Sequence, residues 1–259
     1  MIYNNISKPC VYIVNDNDIE ISKFMMSVNS LLKFHIINKI YVFYDMNDHE
    51  ILEYTNQINY YDHNENVEIS CKQIDTSLIY KYFNLSGIKS IKHNLYSLFI
   101  SIFINEDDFI YISNNILFND DISDIFNNIK NNTLLFGFNS KTYLDEPNDF
   151  GNYFFNENYL DSEILYINAK LYKNENILCD VIEYYNQNYQ NINDILIYCY
   201  NYIFTKYSSN CYLKYSSNYN RGISNPKILQ YEWPSIKLFN FNNKNQIFMN
   251  TIYDLVIKK

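Results

Sequence analysis

Two short polar runs stand where this sequence could do chemistry. Ser113-Asn114-Asn115 follows the apolar run Phe109-Ile110-Tyr111-Ile112, and Asn15-Asp16-Asn17 follows Val11-Tyr12-Ile13-Val14. In open α/β sheets ligands bind beyond the carboxyl ends of strands, so the Ser113-Asn114-Asn115 turn lies where chemistry would be. The competing reading is local: short polar side chains cap the next helix or hold the turn's own backbone hydrogen bonds. Other chemistries lack their residues. The four histidines are dispersed and never form a ligand pair at helical spacing, so no metal role is assigned to them. A chain with four glycines carries neither Gly-x-Gly-x-x-Gly nor a phosphate-loop lysine motif, and it has no Gly-x-Ser-x-Gly elbow.

The elements that must position these runs alternate strand with helix. Val11–Val14 reads as a short buried strand. Ile21, Phe24, Met25, Val28, Leu31 and Leu32 recur at helical spacing behind a carboxylate-rich first turn. Lys39–Tyr44 predicts a second strand, Asp48–Asn56 a second helix, and the alternation over Val67–Ile74 a third strand. Strands separated by helices imply crossover units, hence an α/β fold with a mostly parallel central sheet flanked by helices. A helix over His93–Ile104 leads into Asp108–Ile112, a strand apolar enough to be buried on both faces. Asn119 or Asp120 is expected to cap a helix bearing Ile122, Ile125, Phe126 and Ile129. The remainder reads as a strand at Leu134–Phe138, a long polar-aromatic loop over Lys141–Asn158 and a strand at Glu163–Leu171. Two helices and a last strand near Ile236–Phe241 follow. Without a repeat, linker or composition break, residues 1–259 read as one domain.

Composition bounds the function further. Of 259 residues, 47% are hydrophobic and 19% charged, which supports a real core and excludes a disordered chain. The 29 acidic residues exceed the 20 basic ones, and with no basic tract a nucleic-acid partner is not expected. No apolar run reaches the roughly 18–20 residues of a membrane helix, so no membrane span is expected. The start Met1-Ile2-Tyr3-Asn4-Asn5 is neither basic nor a secretory segment. Five scattered cysteines without a Cys-x-x-Cys pair read as reduced thiols, and the expected location is cytoplasmic. The 28 Tyr and 18 Phe, set against one arginine (Arg221) and one alanine (Ala169), suggest an AT-rich genome of viral or parasitic type.

The order of elements and the residues at their ends resemble the family-8 glycosyltransferases, which have a GT-A fold. Val11 to Asn17 is similar to the family's opening strand and its Asp/Asn-rich base-binding loop. Asp108 to Leu117 resembles the strand that carries the Asp-x-Asp metal motif. Asp161 to Asn168 resembles the Asn-(Ser/Ala)-Gly stretch, Asn193-Asp194-Ile195-Leu196 the Asp-Gln-Asp segment, and Leu229 to Phe239 the late His…Lys-Pro-Trp segment. The resemblance implies a nucleotide-binding half at about 1–118 and an acceptor-side half at about 119–259. It also implies transfer from a UDP-sugar, with Mn²⁺ or Mg²⁺ gripping the diphosphate.

The departures fall on the chemistry. The two metal carboxylates align with Ser113 and Asn115, and the metal His with Gln230. Hard divalent ions prefer anionic oxygen, whereas Ser, Asn and Gln supply neutral dipoles. The phosphate-side Arg aligns near Tyr96 or Ser97. Asn and Gly of the acceptor motif become Asp161 and Glu163; the first Asp and the Gln of Asp-Gln-Asp become Ile192 and Asn193, and only Asp194 stands. Late in the chain Lys237 persists while Pro and Trp become Leu238 and Phe239.

Taken with these departures, the resemblance implies a degenerate enzyme without a metal cofactor. Asn15, Asp16, Asn17, Asn193 and Lys237 would retain weak binding of a nucleotide-sugar or glycan, with Asp161 and Asp194 on the acceptor side. The alternative is a metal-independent transferase in which Lys237, Lys92 and His93 replace the ion's charge. A third reading is a scaffold that binds a protein partner through aromatic patches. Asp161 and Asp194 also read as solvated loop carboxylates, Lys237 as a surface lysine, and Trp233 beside Pro234 as a core residue.

Overall fold

The computed structural model describes residues 4–16, 18–58, 61–83, 93–139, 160–188, 195–215 and 228–230. Its first elements are β1 (Asn4–Ile6), β2 (Cys10–Val14), α1 (Asp18–Phe34), β3 (His35–Ile37), β4 (Lys39–Tyr44), α2 (Asp48–Asn56) and β5 (Glu68–Gln73). There follow α3 (Ser77–Tyr82), α4 (Ser97–Phe103), β6 (Phe109–Ile112), β7 (Ile116–Phe118), α5 (Ser123–Asn127) and β8 (Leu135–Asn139). The last are β9 (Leu160–Ile167), α6 (Ala169–Asn174), α7 (Ile177–Asn188), α8 (Ile195–Lys206), β10 (Cys211–Tyr215) and β11 (Ile228–Gln230). The chain forms two compact units. One comprises Met1–Gln73, Ile112–Asn128 and Ser217–Lys259; the other comprises Ile74–Tyr111 and Ile129–Ser216.

In the first unit β4 lies between β2 and β5, and all three run parallel. All five residues of β2 are buried, as a parallel strand covered on both faces requires. The α1 stripe expected from the sequence is present: Phe24, Val28, Leu31 and Leu32 are fully buried. Each such side chain contributes about 1.5–3 kcal/mol of hydrophobic stabilisation. Asn64 terminates α1. Its Nδ2 donates to the carbonyls of Leu32 (2.8 Å) and His35 (2.7 Å), and its Oδ1 accepts from Ile37 N (2.8 Å). The Leu32 carbonyl, in the last turn of α1, is thereby satisfied by a side chain 32 residues downstream. The chain then enters β3, parallel to β1.

In the second unit β8 pairs parallel with β10 and antiparallel with β9. The β8–β9 register shifts between Gly137 and Phe138, because Gly137 opposes Leu165 while Phe138 opposes Asp161. Ser162, Glu163 and Ile164 therefore form a bulge. A Cβ on Gly137 would lie 2.6 Å from Leu160 Cδ1 and 2.9 Å from Leu165 Cδ2, so glycine permits the close approach. Asn201 clamps the start of β9: Leu160 N donates to Asn201 Oδ1 (2.9 Å) and Asn201 Nδ2 returns to Leu160 O (3.1 Å). Buried Tyr172, Tyr185, Tyr198 and Tyr200 fill the helical layer. Between α6 and α7, Asn176 takes φ 52°, a left-handed position usually given to glycine, in a chain with few glycines.

Several sequence expectations need correction. The helix expected over His93–Ile104 divides into a 3₁₀ turn at His93–Tyr96 and α4. The helix after β7 is only Ser123–Asn127, and neither Asn119 nor Asp120 caps it; Asp121 Oδ1 accepts from Ser123 N at 2.8 Å. The strand expected at Glu163–Leu171 is displaced to Leu160–Ile167. Asn168 Oδ1 accepts from Leu171 N (2.9 Å) and starts α6, which takes Leu171 into a helix. The expected loop at 141–158 and the strand near 236–241 lie outside the described residues.

Candidate functional site

The first unit gathers the two polar runs singled out in the sequence. Because β2 and β4 run parallel in register, Val14 opposite Tyr44, the residues that follow them emerge side by side. Asp45 N donates to Val14 O (3.4 Å), and Asp16 N donates to Asp45 Oδ1 (2.9 Å). Asp45 was not singled out from the sequence; its signal was an acid directly after the strand adjacent to the Asn15 strand.

The Ser113-Asn114-Asn115 run is a closed turn. Ser113 O accepts from Ile116 N (3.2 Å), and Ser113 Oγ accepts from Asn115 N (3.3 Å). Ser113 and Asn114 are both buried. Asn114 Nδ2 donates to Ile13 O at 2.8 Å and sits 3.4 Å from Glu20 Oε2, which ties this turn to the end of β2 and the first turn of α1. Glu20 in turn pairs with Lys23 at 2.7 Å. The amide oxygens of Asn15, Asn114 and Asn115 are buried and have no hydrogen-bond partner among the described residues.

The strand after the turn is held from several sides. Phe118 N donates to Ser30 Oγ (3.0 Å), whose hydroxyl donates to Ser27 O (2.7 Å). Behind it His35 accepts from Ile122 N at Nε2 (2.9 Å), while Nδ1 faces Leu31 O at 2.9 Å. That pair of partners suits the neutral imidazole with its proton on Nδ1, a structural histidine. Burial alone would raise the nearby Asp121 carboxyl. Hydrogen bonds from Ser123 and Asn4 instead hold it below the usual carboxylate value.

β11 pairs antiparallel with β7 and sets Gln230 opposite Ile116, directly after the turn. The backbone therefore brings the positions of Ser113, Asn115 and Gln230 to one place, although they are far apart in the chain. The side chain of Gln230 is outside the described residues, as are all of Asn17, Asn193, Asp194 and Lys237, together with Lys92 and Trp233. Asp161 is described only as backbone, at the edge of the β9 bulge. Tyr96 and Ser97, near which the resemblance aligns the family's arginine, are buried in the second unit: Tyr96 stacks on Phe103, and Ser97 Oγ accepts from Tyr200 at 3.0 Å.

A divalent ion implied by such a fold does not fit the donors at this turn. Ser113 Oγ is engaged as the acceptor of the Asn115 N–H, and Asn115 offers a neutral amide oxygen. Among the described residues no group of three or more His, Cys, Asp or Glu is placed to hold a metal. Hard cations of this class are held by carboxylates supplemented with neutral oxygens.

No protein-family model matches the chain. No curated protein matches it either. Solved structures do. A galactosyltransferase, LgtC, in complex with donor and acceptor sugar analogs, superposes with TM-score 0.70 at 13% identity, over 96% of each chain. The glycosyltransferase GlyE of Streptococcus pneumoniae TIGR4 gives 0.65 at 14% identity, over 95% of this chain. The alignment spans 60% of the GlyE chain. Mouse xyloside xylosyltransferase 1 gives 0.58 at 8% identity, over 89% of this chain and 98% of that one. At these identities the likeness is one of architecture: the chain has the mixed α/β GT-A fold of these glycosyltransferases.

Proposed function

We propose that this chain is a glycosyltransferase-fold protein that has given up metal-dependent sugar transfer and keeps its strand-end cradle as a binding site for a nucleotide-sugar or glycan. The observation that supports this reading is the 113–115 turn, where a hydroxyl engaged by the turn and a neutral amide stand at the positions that the resemblance aligns with the metal carboxylates. A bound divalent ion supplies several kcal/mol of stabilisation to charge on a leaving phosphate. At roughly 1.4 kcal/mol per tenfold, its loss costs several orders of magnitude in rate. What remains to the chain's own residues is binding at the strand-end runs that carry Asn15, Asp16, Asn114 and Asn115. The proposed compartment is the cytoplasm, where the free cysteines Cys10, Cys199 and Cys211 would stay reduced. Among the described residues no helix is long and apolar enough to cross a membrane.

Thermal unfolding with a panel of UDP-sugars, with and without Mn²⁺, tests the reading. The expected result is a shift that Mn²⁺ does not enlarge. A Mn²⁺-dependent shift, or Mn²⁺-dependent release of sugar, would overturn it. Turnover of a UDP-sugar in EDTA that Lys237→Ala abolishes would replace it with metal-independent transfer.

A further inference from the structure

We infer that β5 is a docking edge for a second copy of this chain, the two copies pairing antiparallel about Ser70. On one side β5 pairs with β4; on the other, among the described residues, it pairs with no strand. The direction of its backbone groups follows from the register. Glu68 lies opposite Lys39, and Glu68 N donates to Asn38 O at 3.0 Å. In a parallel ladder alternate residues of a strand turn both N–H and C=O toward the same neighbour. Glu68, Ser70 and Lys72 therefore address β4, whereas Ile69, Cys71 and Gln73 direct their backbone groups to the outer edge. That edge is accessible: Glu68 and Gln73 are exposed and the residues between them are half-buried. A row of outward donors and acceptors is a template for another strand.

Charge selects which strand. Lysine or glutamate on an edge ordinarily blunts such pairing. Here their spacing makes the edge complementary to itself. Copies related by a two-fold axis perpendicular to the sheet pair antiparallel, and one residue faces its own copy at the axis. With Ser70 at that point, Glu68 of each copy faces Lys72 of the other, and Ile69 faces Cys71. Opposite charges directly across antiparallel strands attract. No other centre in β5 achieves this: about Ile69 the glutamate meets Ser70, and about Cys71 the lysine meets Ser70. The same centre makes both Ile69–Cys71 pairs hydrogen-bonded ones, because these are the residues that turn outward. Glu68 and Lys72 already share a face: Glu68 Oε1 lies 3.2 Å from Lys39 Nζ, and Lys72 Nζ lies 5.1 Å from the Tyr41 ring centroid. The Glu68 side chain is 63% exposed, and a carboxylate with two oxygens accepts from a second cation without releasing Lys39. A strand of 6 residues per copy is a small contact, so the dimer is weak and reversible.

Sedimentation velocity of the full chain at low salt tests this, over about 1–500 μM to cover weak interfaces. The wild type is expected to move from monomer toward dimer as concentration rises. Glu68→Lys and Lys72→Glu each set like charges across the axis, and each is expected to weaken dimerisation about tenfold to hundredfold. Mixed in equal amounts, the two variants are expected to recover it, because every lysine of one then faces a glutamate of the other. Loss of fold in either variant could not produce that recovery. Cys71→Pro removes an outward N–H and no bond to β4, and is expected to weaken the dimer with both charges in place. A wild type that stays monomeric throughout leaves the edge to some other strand and overturns the inference. A dimer insensitive to Cys71→Pro pairs elsewhere and also overturns it. So do charge variants that weaken the dimer, keep the wild-type melting temperature and fail to recover on mixing.

Discussion

Asn114→Asp changes one atom of the turn and reverses its electrostatics. The Nδ2 it replaces donates to Ile13 O at 2.8 Å and lies 3.4 Å from Glu20 Oε2. The ionised aspartate side chain would point an acceptor at both. Two unit charges at that Glu20 distance repel by about 5 kcal/mol at an effective dielectric near 20. Lys23, paired with Glu20 at 2.7 Å, offsets part of this, so a destabilisation of about 3 kcal/mol is expected at neutral pH. For a chain of this size that lowers Tm by about 6–12 °C. Asn114→Ala, which loses one hydrogen bond and one orphan acceptor, should cost only about 1 kcal/mol. The pH dependence separates the mechanisms. The new carboxyl would have a raised native pKa, so its penalty is absent below the unfolded value of about 4. It grows as pH rises from there and levels off above the native pKa. When protonated, the acid can donate to Ile13 O much as the amide does. Urea or thermal unfolding of wild type and both variants across pH 4–8 measures this. A variant no less stable than Asn114→Ala, or a deficit that does not vary with pH, would refute the placement of Asn114 and the electrostatic argument with it.

Introducing Ser113→Asp and Asn115→Asp together is expected to create Mn²⁺ binding; at 100 times Kd the ion would add about 2.7 kcal/mol of stability in a thermal-shift titration. Gly137→Val should destabilise by about 1–3 kcal/mol in urea unfolding, because its Cβ would meet Leu160 Cδ1 at 2.6 Å. The native Asp121 carboxyl is held below its ordinary value, so its stabilisation is complete above that ordinary value and lost as pH falls through the lower native one. Asp121→Asn should flatten the acid limb of a pH–stability profile below about pH 4.

Much of the α/β framework was legible because burial imposes a pattern on the chain. β4 and α2 match the sequence reading residue for residue, and the apolar stripe of α1 is the face that is buried. Where local signals compete, the reading slipped. Asn168 could end a strand or start a helix; the Asn168 Oδ1 bond to Leu171 N shows which prevailed. At the start of α5 it is Asp121, not Asp120, that accepts from Ser123 N, and its other carboxylate oxygen accepts from Asn4, 117 residues away.

At the site the division is sharper. Residue types alone determined that Ser113, Asn115 and Gln230 offer neutral oxygens, since charge is a property of the side chain and needs no fold. Tertiary structure decided that Ser113 Oγ serves its own turn, that Gln230 lies opposite Ile116, and that Asp45 reaches the Asp16 backbone. It also decided that three amide oxygens remain without donors among the described residues. Those facts depend on strand register and on distances between residues far apart in the chain, such as Asn114 and Ile13 or Ile116 and Gln230. Hydrogen bonds act over about 3 Å, so only the folded chain determines which groups meet and which do not.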